Sequence, residues 1–159
     1  MIQRVQTLFL LGAIAFLSFL ETKIFPFASI VHGLAPNDAN HTEYSDSVYT
    51  ISDNSGLTFL AALILTILVG SIFIFKNRKR QITLVTIANI FLGILILGAA
   101  YLPKSAASHL VNEANGVTPE IQTNAIPYAF LIFALALSGF AVFYIRKDEK
   151  LVRSADRLR

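Results

Sequence analysis

The sequence predicts an all-α integral membrane protein with four transmembrane helices and both termini in the cytoplasm. Of its 159 residues, 55% are apolar and 14% are charged, whereas about a quarter of the residues in a soluble domain carry charge. Long apolar runs alternate with short polar segments, and a cluster of cations from Lys76 to Arg80 separates two of the runs. We therefore expect the chain to fold in a bilayer.

The first helix is predicted over residues 5–26. Its purely apolar part, Leu8 to Leu20, is short for the roughly 30 Å of hydrocarbon that a helix must cross. We expect the helix to continue past Glu21 and Lys23, whose charges would then lie at the outer surface. A signal peptide has a similar pattern, but no small-x-small cleavage site closes this stretch, which favours a retained helix.

Residues 27–56 are predicted to form an extracytoplasmic loop, because they contain four acidic residues and no Lys or Arg. Val48 to Ile51 favour a short strand, although an isolated hairpin is marginally stable. Asp53 to Gly56 include residues that cap helix N-termini. His32 and His41 do not have the spacing of a metal-ligand set, so we predict no metal site.

The second and third helices are predicted over residues 57–75 and 82–102, with a turn at residues 76–81 between them. The cations of this turn are Lys76, Arg78, Lys79 and Arg80. Cations are costly to translocate and are attracted to anionic lipid headgroups. The turn is therefore predicted to lie on the cytoplasmic side, where its cations contact lipid or a partner.

Small and polar residues inside the apolar runs mark the predicted helix contacts, because small side chains let helices approach closely. These residues are Thr66, Gly70, Asn89, Gly93, Ala134 and Ser138. An amide in hydrocarbon seeks a partner, and such interhelical hydrogen bonds contribute about 0.6 to 2 kcal/mol. We interpret Asn89 as a structural contact; a place in a transport path is the alternative.

Residues 103–118 are predicted to form the second extracytoplasmic loop, with Pro103 ending or kinking the third helix. Ser105 to Asn115 has the pattern of a short amphipathic helix on the outer surface. Thr118-Pro119-Glu120 is typical of a helix start. The fourth helix is therefore predicted over residues 119–145, with a kink near Pro127.

The tail, residues 146–159, is predicted to be a short amphipathic helix in the cytoplasm. Leu151, Ala155 and Leu158 fall on one helical face. The cations of the tail are Arg146, Lys147, Lys150, Arg153, Arg157 and Arg159. They suit contact with anionic lipid headgroups, so the tail is either an anchor or a docking helix for a partner protein.

The charges are sorted by side in this arrangement. The cytoplasmic segments hold 11 of the 13 Lys and Arg residues, and seven of the ten acidic residues lie outside. This asymmetry follows the positive-inside rule. The cations are thus explained by a membrane, and we predict no binding to nucleic acid.

Three segments resemble a known family: Met1 to Thr7, Phe75 to Gln81 and, above all, Ile145 to Arg159. The chain resembles the small four-helix membrane proteins of the Bacteroidota that are catalogued as domain of unknown function 4293. The resemblance implies a multi-pass protein of the bacterial inner membrane. The family has no established activity, so the resemblance assigns no functional residue.

The leading functional hypothesis is a non-enzymatic accessory or assembly subunit of a larger membrane complex. The tail has acids placed among its cations in a particular sequence order, which is more than an anchor requires. This order therefore predicts docking to a membrane-protein partner. We expect no catalytic residues and no cofactor. The alternative is a small transporter or channel that acts as an oligomer, with Asn89, Thr66 and Ser138 lining the pore.

Overall fold

The computed structural model describes residues 2–32, 48–75, 77–113 and 120–156. Within these residues it contains four α-helices, α1 (Ile2–Leu20), α2 (Ser55–Phe73), α3 (Arg78–Glu113) and α4 (Ala125–Asp156), and a short 3₁₀ helix, Ile51–Asp53. Three short strands in the same part of the chain, β1 (Ala28–His32), β2 (Val48–Tyr49) and β3 (Glu120–Thr123), form one sheet. The predicted all-α fold is therefore found, with a small sheet added to it.

The helices form a bundle in which α1 and α3 each pack against both α2 and α4. Buried residues recur at alternating steps of three and four along each helix. In α3 they are Val85, Ala88, Leu92, Leu95 and Ala99. This spacing, close to 3.5 residues on average, is typical of helices that pack at shallow angles. The core is thus a narrow seam between the helices.

Aromatic rings fill the contact between α1 and α4. The ring of Phe9 stacks on that of Tyr144 with 5.4 Å between centroids. Further along α1, the rings of Phe16 and Phe130 pack with 5.4 Å between their centroids. Because residue numbers rise along α1 as they fall along α4, the two helices are antiparallel.

The outside of the bundle is also apolar. Large exposed side chains such as Phe59, Phe73, Leu97 and Phe143 cover it. By length and composition, three of the described helices can cross a membrane: α2, α3 as far as Ala106 and α4 as far as Val152. The apolar part of α1, Val5–Leu20, is shorter. The chain is therefore compatible with a multi-pass membrane protein.

Helix α1 ends at Leu20, so the prediction that it continues to residue 26 is wrong. The chain turns instead, and the backbone N–H of Thr22 donates to the carbonyl of Phe19 at 3.2 Å. Phe27 then donates its backbone N–H to the carbonyl of Tyr49 at 2.8 Å. Pairing with a strand from elsewhere in the loop thus draws residues after Leu20 away from the helix axis.

The sheet lies at the end of the bundle where α1 finishes and α4 starts. Its order is β2-β1-β3, and both strand pairs are antiparallel. The strand tendency at Val48 to Ile51 is confirmed for Val48–Tyr49. Because β3 belongs to the second connection, it supplies the third strand that an isolated hairpin lacks. The two outer connections are therefore joined through β1.

Helix α3 continues through Pro103 to Glu113, so the separate helix predicted from Ser105 is wrong. Proline lacks an N–H and leaves the carbonyl four residues earlier, that of Ala99, without its helical donor. The hydroxyl of Tyr128 on α4 donates to this carbonyl at 3.0 Å. A neighbouring helix therefore compensates for the proline, which allows α3 to continue.

Helix α4 starts at Ala125, and Glu120 belongs to β3. The predicted helix start at Thr118-Pro119-Glu120 is therefore wrong at Glu120, which is in a strand. Pro127 consequently lies in the first turn of α4, where its missing N–H would have no helical partner. No kink is needed there. At its other end α4 runs without interruption to Asp156, which makes residues 146–156 of the tail part of the same helix.

Helix α2 runs over Ser55–Phe73, two residues earlier at each end than predicted. The predicted cap is confirmed: the side chain of Asn54 accepts from the backbone N–H groups of Gly56, at 3.0 Å, and Leu57, at 3.2 Å. Residues 33–47 and 114–119 lie outside the described residues. Predictions that depend on His41 or Thr118 therefore fall outside them too.

Candidate functional site at the basic end of the bundle

The end of the bundle opposite the sheet carries the cations. The predicted turn at residues 76–81 is tighter than expected, because α3 already begins at Arg78. Asn77 accepts the backbone N–H of Gln81 through its carbonyl at 3.0 Å. Arg78, Lys79 and Arg80 therefore lie in the first helical turn, the positive end of the α3 dipole. We call this region, with the start of α1 and the end of α4, the basic end.

An ion pair ties α3 to α4 at the basic end. Nη2 of Arg78 lies 3.0 Å from Oδ2 of Asp148, and Nη1 donates to the backbone carbonyl of Asp148 at 3.2 Å. The two side chains are 25% and 12% exposed. Because Asp148 offsets one of three neighbouring cations, it also relieves their repulsion at the helix start. The pattern of charges in the tail did not reveal which acid would take this role.

The remaining predicted cations are placed as follows. Lys79, Arg80, Arg146, Lys147 and Lys150 are exposed. Arg153 lies in α4, while Lys76, Arg157 and Arg159 lie outside the described residues. Arg78 thus makes an internal contact, and the exposed cations of the first turn of α3 and of α4 leave the basic end positively charged.

A cleft of about 500 Å³ opens at the basic end between the start of α1, the end of α2 and the start of α3. Its polar lining includes Gln6, Arg78 and Gln81. Gln6 and Gln81 are only 5% and 4% exposed. The rest of the lining comes from three residues of α1, two of α2 and one just after α2: Thr7, Leu8, Leu11, Ile72, Phe73 and Phe75. No local pattern predicted this cleft, since its residues come from three separate helix ends.

Gln6 is the one residue of the cleft whose polar group is left unsatisfied within the described part of the chain. Its Nε2 atom is buried and has no hydrogen-bond partner there. A buried donor without an acceptor costs about 1 to 3 kcal/mol. Such a group is tolerated when another molecule supplies the acceptor.

Asn89 and Ser138 meet in the middle of the bundle. The Ser138 hydroxyl lies 2.5 Å from Oδ1 of Asn89 and also reaches the carbonyl of Ala134 at 2.9 Å. Thr66, by contrast, is exposed and donates to the carbonyl of Ala62 in its own helix at 2.8 Å. The structure therefore brings Asn89, Ala134 and Ser138 together between α3 and α4 and leaves Thr66 apart.

The close approaches between helices use other glycines than those predicted. A Cβ added at Gly70 or Gly93 would meet no heavy atom within 4 Å in the described structure. A Cβ at Gly12 would lie 3.1 Å from Leu137, and one at Gly98 would lie 3.0 Å from Leu57. Gly12 and Gly98 each precede a buried alanine, so a Gly-Ala pair was the available signal.

The bundle, its apolar outer surface and its basic end define a small helical protein that is compatible with a membrane. The chain belongs to the family described as "Domain of unknown function (DUF4293)", which matches residues 2–158. No curated protein and no solved structure matches the chain. The match thus confirms the resemblance and leaves the function to be inferred from the structure.

Proposed function

We propose that the protein is a non-enzymatic subunit of a complex in the bacterial inner membrane, and that it docks to a membrane-protein partner through its tail. The observation that carries this proposal is the course of α4. The helix continues past the Arg78–Asp148 ion pair to Asp156. Beyond Asp148, Leu151 and Val152 are 51% and 44% exposed. The tail is thus a helix with exposed apolar side chains, and the Arg78–Asp148 ion pair attaches its first residues to α3.

The charge of the tail fits a position at the cytoplasmic surface. Lys147 and Lys150 precede the apolar pair along α4 and are exposed. Cations beside exposed apolar side chains suit an interface between anionic headgroups and a second protein. The start of α1, the turn before α3 and the end of α4 share one end of the bundle, which supports placing both termini in the cytoplasm.

The first test is a pulldown of the tagged protein in a gentle detergent, followed by mass spectrometry. The full chain is compared with a chain that ends at Glu149, since this truncation keeps Asp148 and its ion pair with Arg78. We expect a reproducible membrane-protein partner that is lost on truncation. A full chain that brings down only itself would count against the subunit proposal.

A second variant separates docking from anchoring. Scrambling residues 150–159 at constant composition keeps the charge and changes the order of the side chains. Docking predicts loss of the partner with an unchanged amount of protein in the membrane. If the partner is retained, the tail acts through charge alone, as an anchor does.

The alternative proposal is an oligomeric transporter or channel that uses Asn89, Thr66 and Ser138. Since Thr66 faces outward, its participation would require a pore between copies of the chain. Ion flux in liposomes that Asn89→Leu abolishes would favour this alternative. Flux that is absent from both the natural chain and the variant would exclude it under those conditions.

A further inference from the structure

The cleft at the basic end combines a polar floor with apolar walls. Gln6 and Gln81 lie at its buried side. Its walls include the exposed side chains of Leu8, Leu11 and Phe73. A ligand that satisfies both parts has a polar head and an apolar chain. Amphiphiles with this form are the lipids of the surrounding membrane.

The unsatisfied group in the cleft is a donor. Nε2 of Gln6 is buried without a partner among the described residues, and an amide nitrogen can donate but cannot accept. The ligand must therefore present an acceptor oxygen at this point. This requirement is met by phosphate, carboxylate and ester oxygens.

The charge around the cleft favours an anionic oxygen. Arg78 lines the cleft. Its guanidinium has five N–H donors, and its contacts to Asp148 are made through Nη1 and Nη2. Lys79 and Arg80 extend from the same helical turn, and the α3 dipole adds to their positive potential. Asp148 balances one of these three cations, so the local field remains positive.

We propose that this cleft binds one molecule of an anionic membrane lipid. The Gln6 side chain rotates so that its Nε2, which is buried in the unliganded cleft, donates to a phosphate oxygen of the headgroup. The same headgroup faces the guanidinium of Arg78. An acyl chain lies along the apolar walls that α1 and α2 provide. Free phosphate shares the headgroup chemistry, but it would leave the apolar walls uncovered. This site is independent of docking through the tail.

The absence of tryptophan from the chain allows a direct measurement. Phe75→Trp places the only tryptophan of the variant in the cleft. The protein is reconstituted in nanodiscs that contain phosphatidylcholine and increasing amounts of a lipid with brominated acyl chains, which quenches nearby tryptophan. The brominated lipid is phosphatidylglycerol in one series and phosphatidylcholine in the other. Phe143→Trp, on an exposed face of α4, is the control position.

We expect half-maximal quenching of the Phe75→Trp protein at a mole fraction of phosphatidylglycerol about fivefold lower than that of phosphatidylcholine, the preference expected for one partly screened charge-assisted contact. The Phe143→Trp protein should show no preference. Equal quenching by both lipids at the cleft would overturn the proposal.

Substitutions in the Phe75→Trp background assign the preference to the cleft. Gln6→Leu and Arg78→Gln should each bring the two lipids within about twofold of one another, since each removes a donor to the headgroup. Two control substitutions should leave the preference intact. Arg80→Gln makes the arginine change at an exposed cation, and Gln122→Leu makes the glutamine change at an exposed residue of β3. A loss with Arg80→Gln as large as with Arg78→Gln would show general surface attraction and contradict the proposal.

A second substitution at Gln6 and a competition with inorganic phosphate complete the test. Gln6→Glu keeps the side chain's length and adds a negative charge that repels the headgroup, so it should also abolish the preference. Inorganic phosphate at 10 mM should not relieve the quenching by brominated phosphatidylglycerol. Relief by phosphate would identify a site for a free anion and overturn the assignment to a lipid.

Discussion

Gln6, with its buried amide, is the side chain at which the proposed lipid site predicts a change in stability. Because its Nε2 atom is buried without a partner in the described structure, replacing it with an apolar side chain of similar size removes a desolvation cost. We expect Gln6→Leu to raise the free energy of unfolding of the lipid-free protein by about 1 kcal/mol. Thermal unfolding in a mild zwitterionic detergent measures this change.

Gln81→Leu is the comparison for this prediction. Gln81 is equally buried, but no unsatisfied atom is found on it within the described residues. Its replacement should therefore bring no comparable gain. A lower stability of Gln6→Leu than of the natural chain would show that Gln6 already has a partner inside the protein.

Tyr128 stabilises α3 by donating to the carbonyl that Pro103 leaves free. We expect Tyr128→Phe to lower the free energy of unfolding by about 1 kcal/mol. In a Pro103→Ala background, the restored N–H of residue 103 can donate to the same carbonyl, so the cost of Tyr128→Phe should fall. A double-mutant cycle by thermal unfolding measures the coupling.

Tyr144→Phe is the matched control for this cycle, since Tyr144 stacks on Phe9 through its ring. Tyr144→Phe should change the free energy of unfolding by the same amount in the natural chain and in the Pro103→Ala background. If Tyr128→Phe also costs the same in both backgrounds, the hydroxyl does not compensate for the proline.

At the scale of helices, Gly70 and Gly98 offer a matched pair of the same substitution. A Cβ at Gly70 meets open space, while one at Gly98 lies 3.0 Å from Leu57 Cδ2. Alanine is favoured over glycine inside a helix by about 0.5 to 1 kcal/mol. We expect Gly70→Ala to stabilise the protein by this amount and Gly98→Ala to give no gain or a loss, as measured by thermal unfolding. Equal stabilisation by both would contradict close packing of α2 on α3.

The helices were largely predictable from the sequence, and their ends were not. Long apolar runs are sufficient to locate a helix, but the end of α1 depends on a backbone hydrogen bond between Phe27 and Tyr49. The passage of α3 through Pro103 depends on a tyrosine from another helix. Local patterns contain no information about such distant partners.

The candidate site was predictable only in part, because its contacts also join distant parts of the chain. The cluster of cations from Lys76 to Arg80 was visible in the sequence, and Arg78 to Arg80 lie in the first turn of α3 at the basic end. The pairing of Arg78 with Asp148 joins residues 70 positions apart, and several acids of the tail had the same local setting. Gln6 lies in one of the segments that resemble the family, Met1 to Thr7, but nothing in that segment distinguishes it from its neighbours. What distinguishes it is burial without a partner among the described residues.

At the scale of the whole molecule, the topology can be measured directly because the chain contains no cysteine. Ser154→Cys marks the exposed end of α4, and Ser55→Cys marks the exposed start of α2 beside the sheet. With both termini in the cytoplasm, a membrane-impermeant maleimide should label Ser55→Cys in intact spheroplasts. Ser154→Cys should react only after lysis. The reverse pattern would invert the proposed topology.

The order of the sheet also bears on how the protein is made. The central strand, β1, leaves the ribosome early and pairs with β3, which is synthesised only after both intervening helices. Contacts between distant parts of a chain form late. The sheet can therefore be completed only when α2 and α3 have been synthesised and their connections have reached the same side. Until then β1 keeps an unpaired edge, which exposes the nascent chain to pairing with other strands at the end of the bundle that the finished sheet covers.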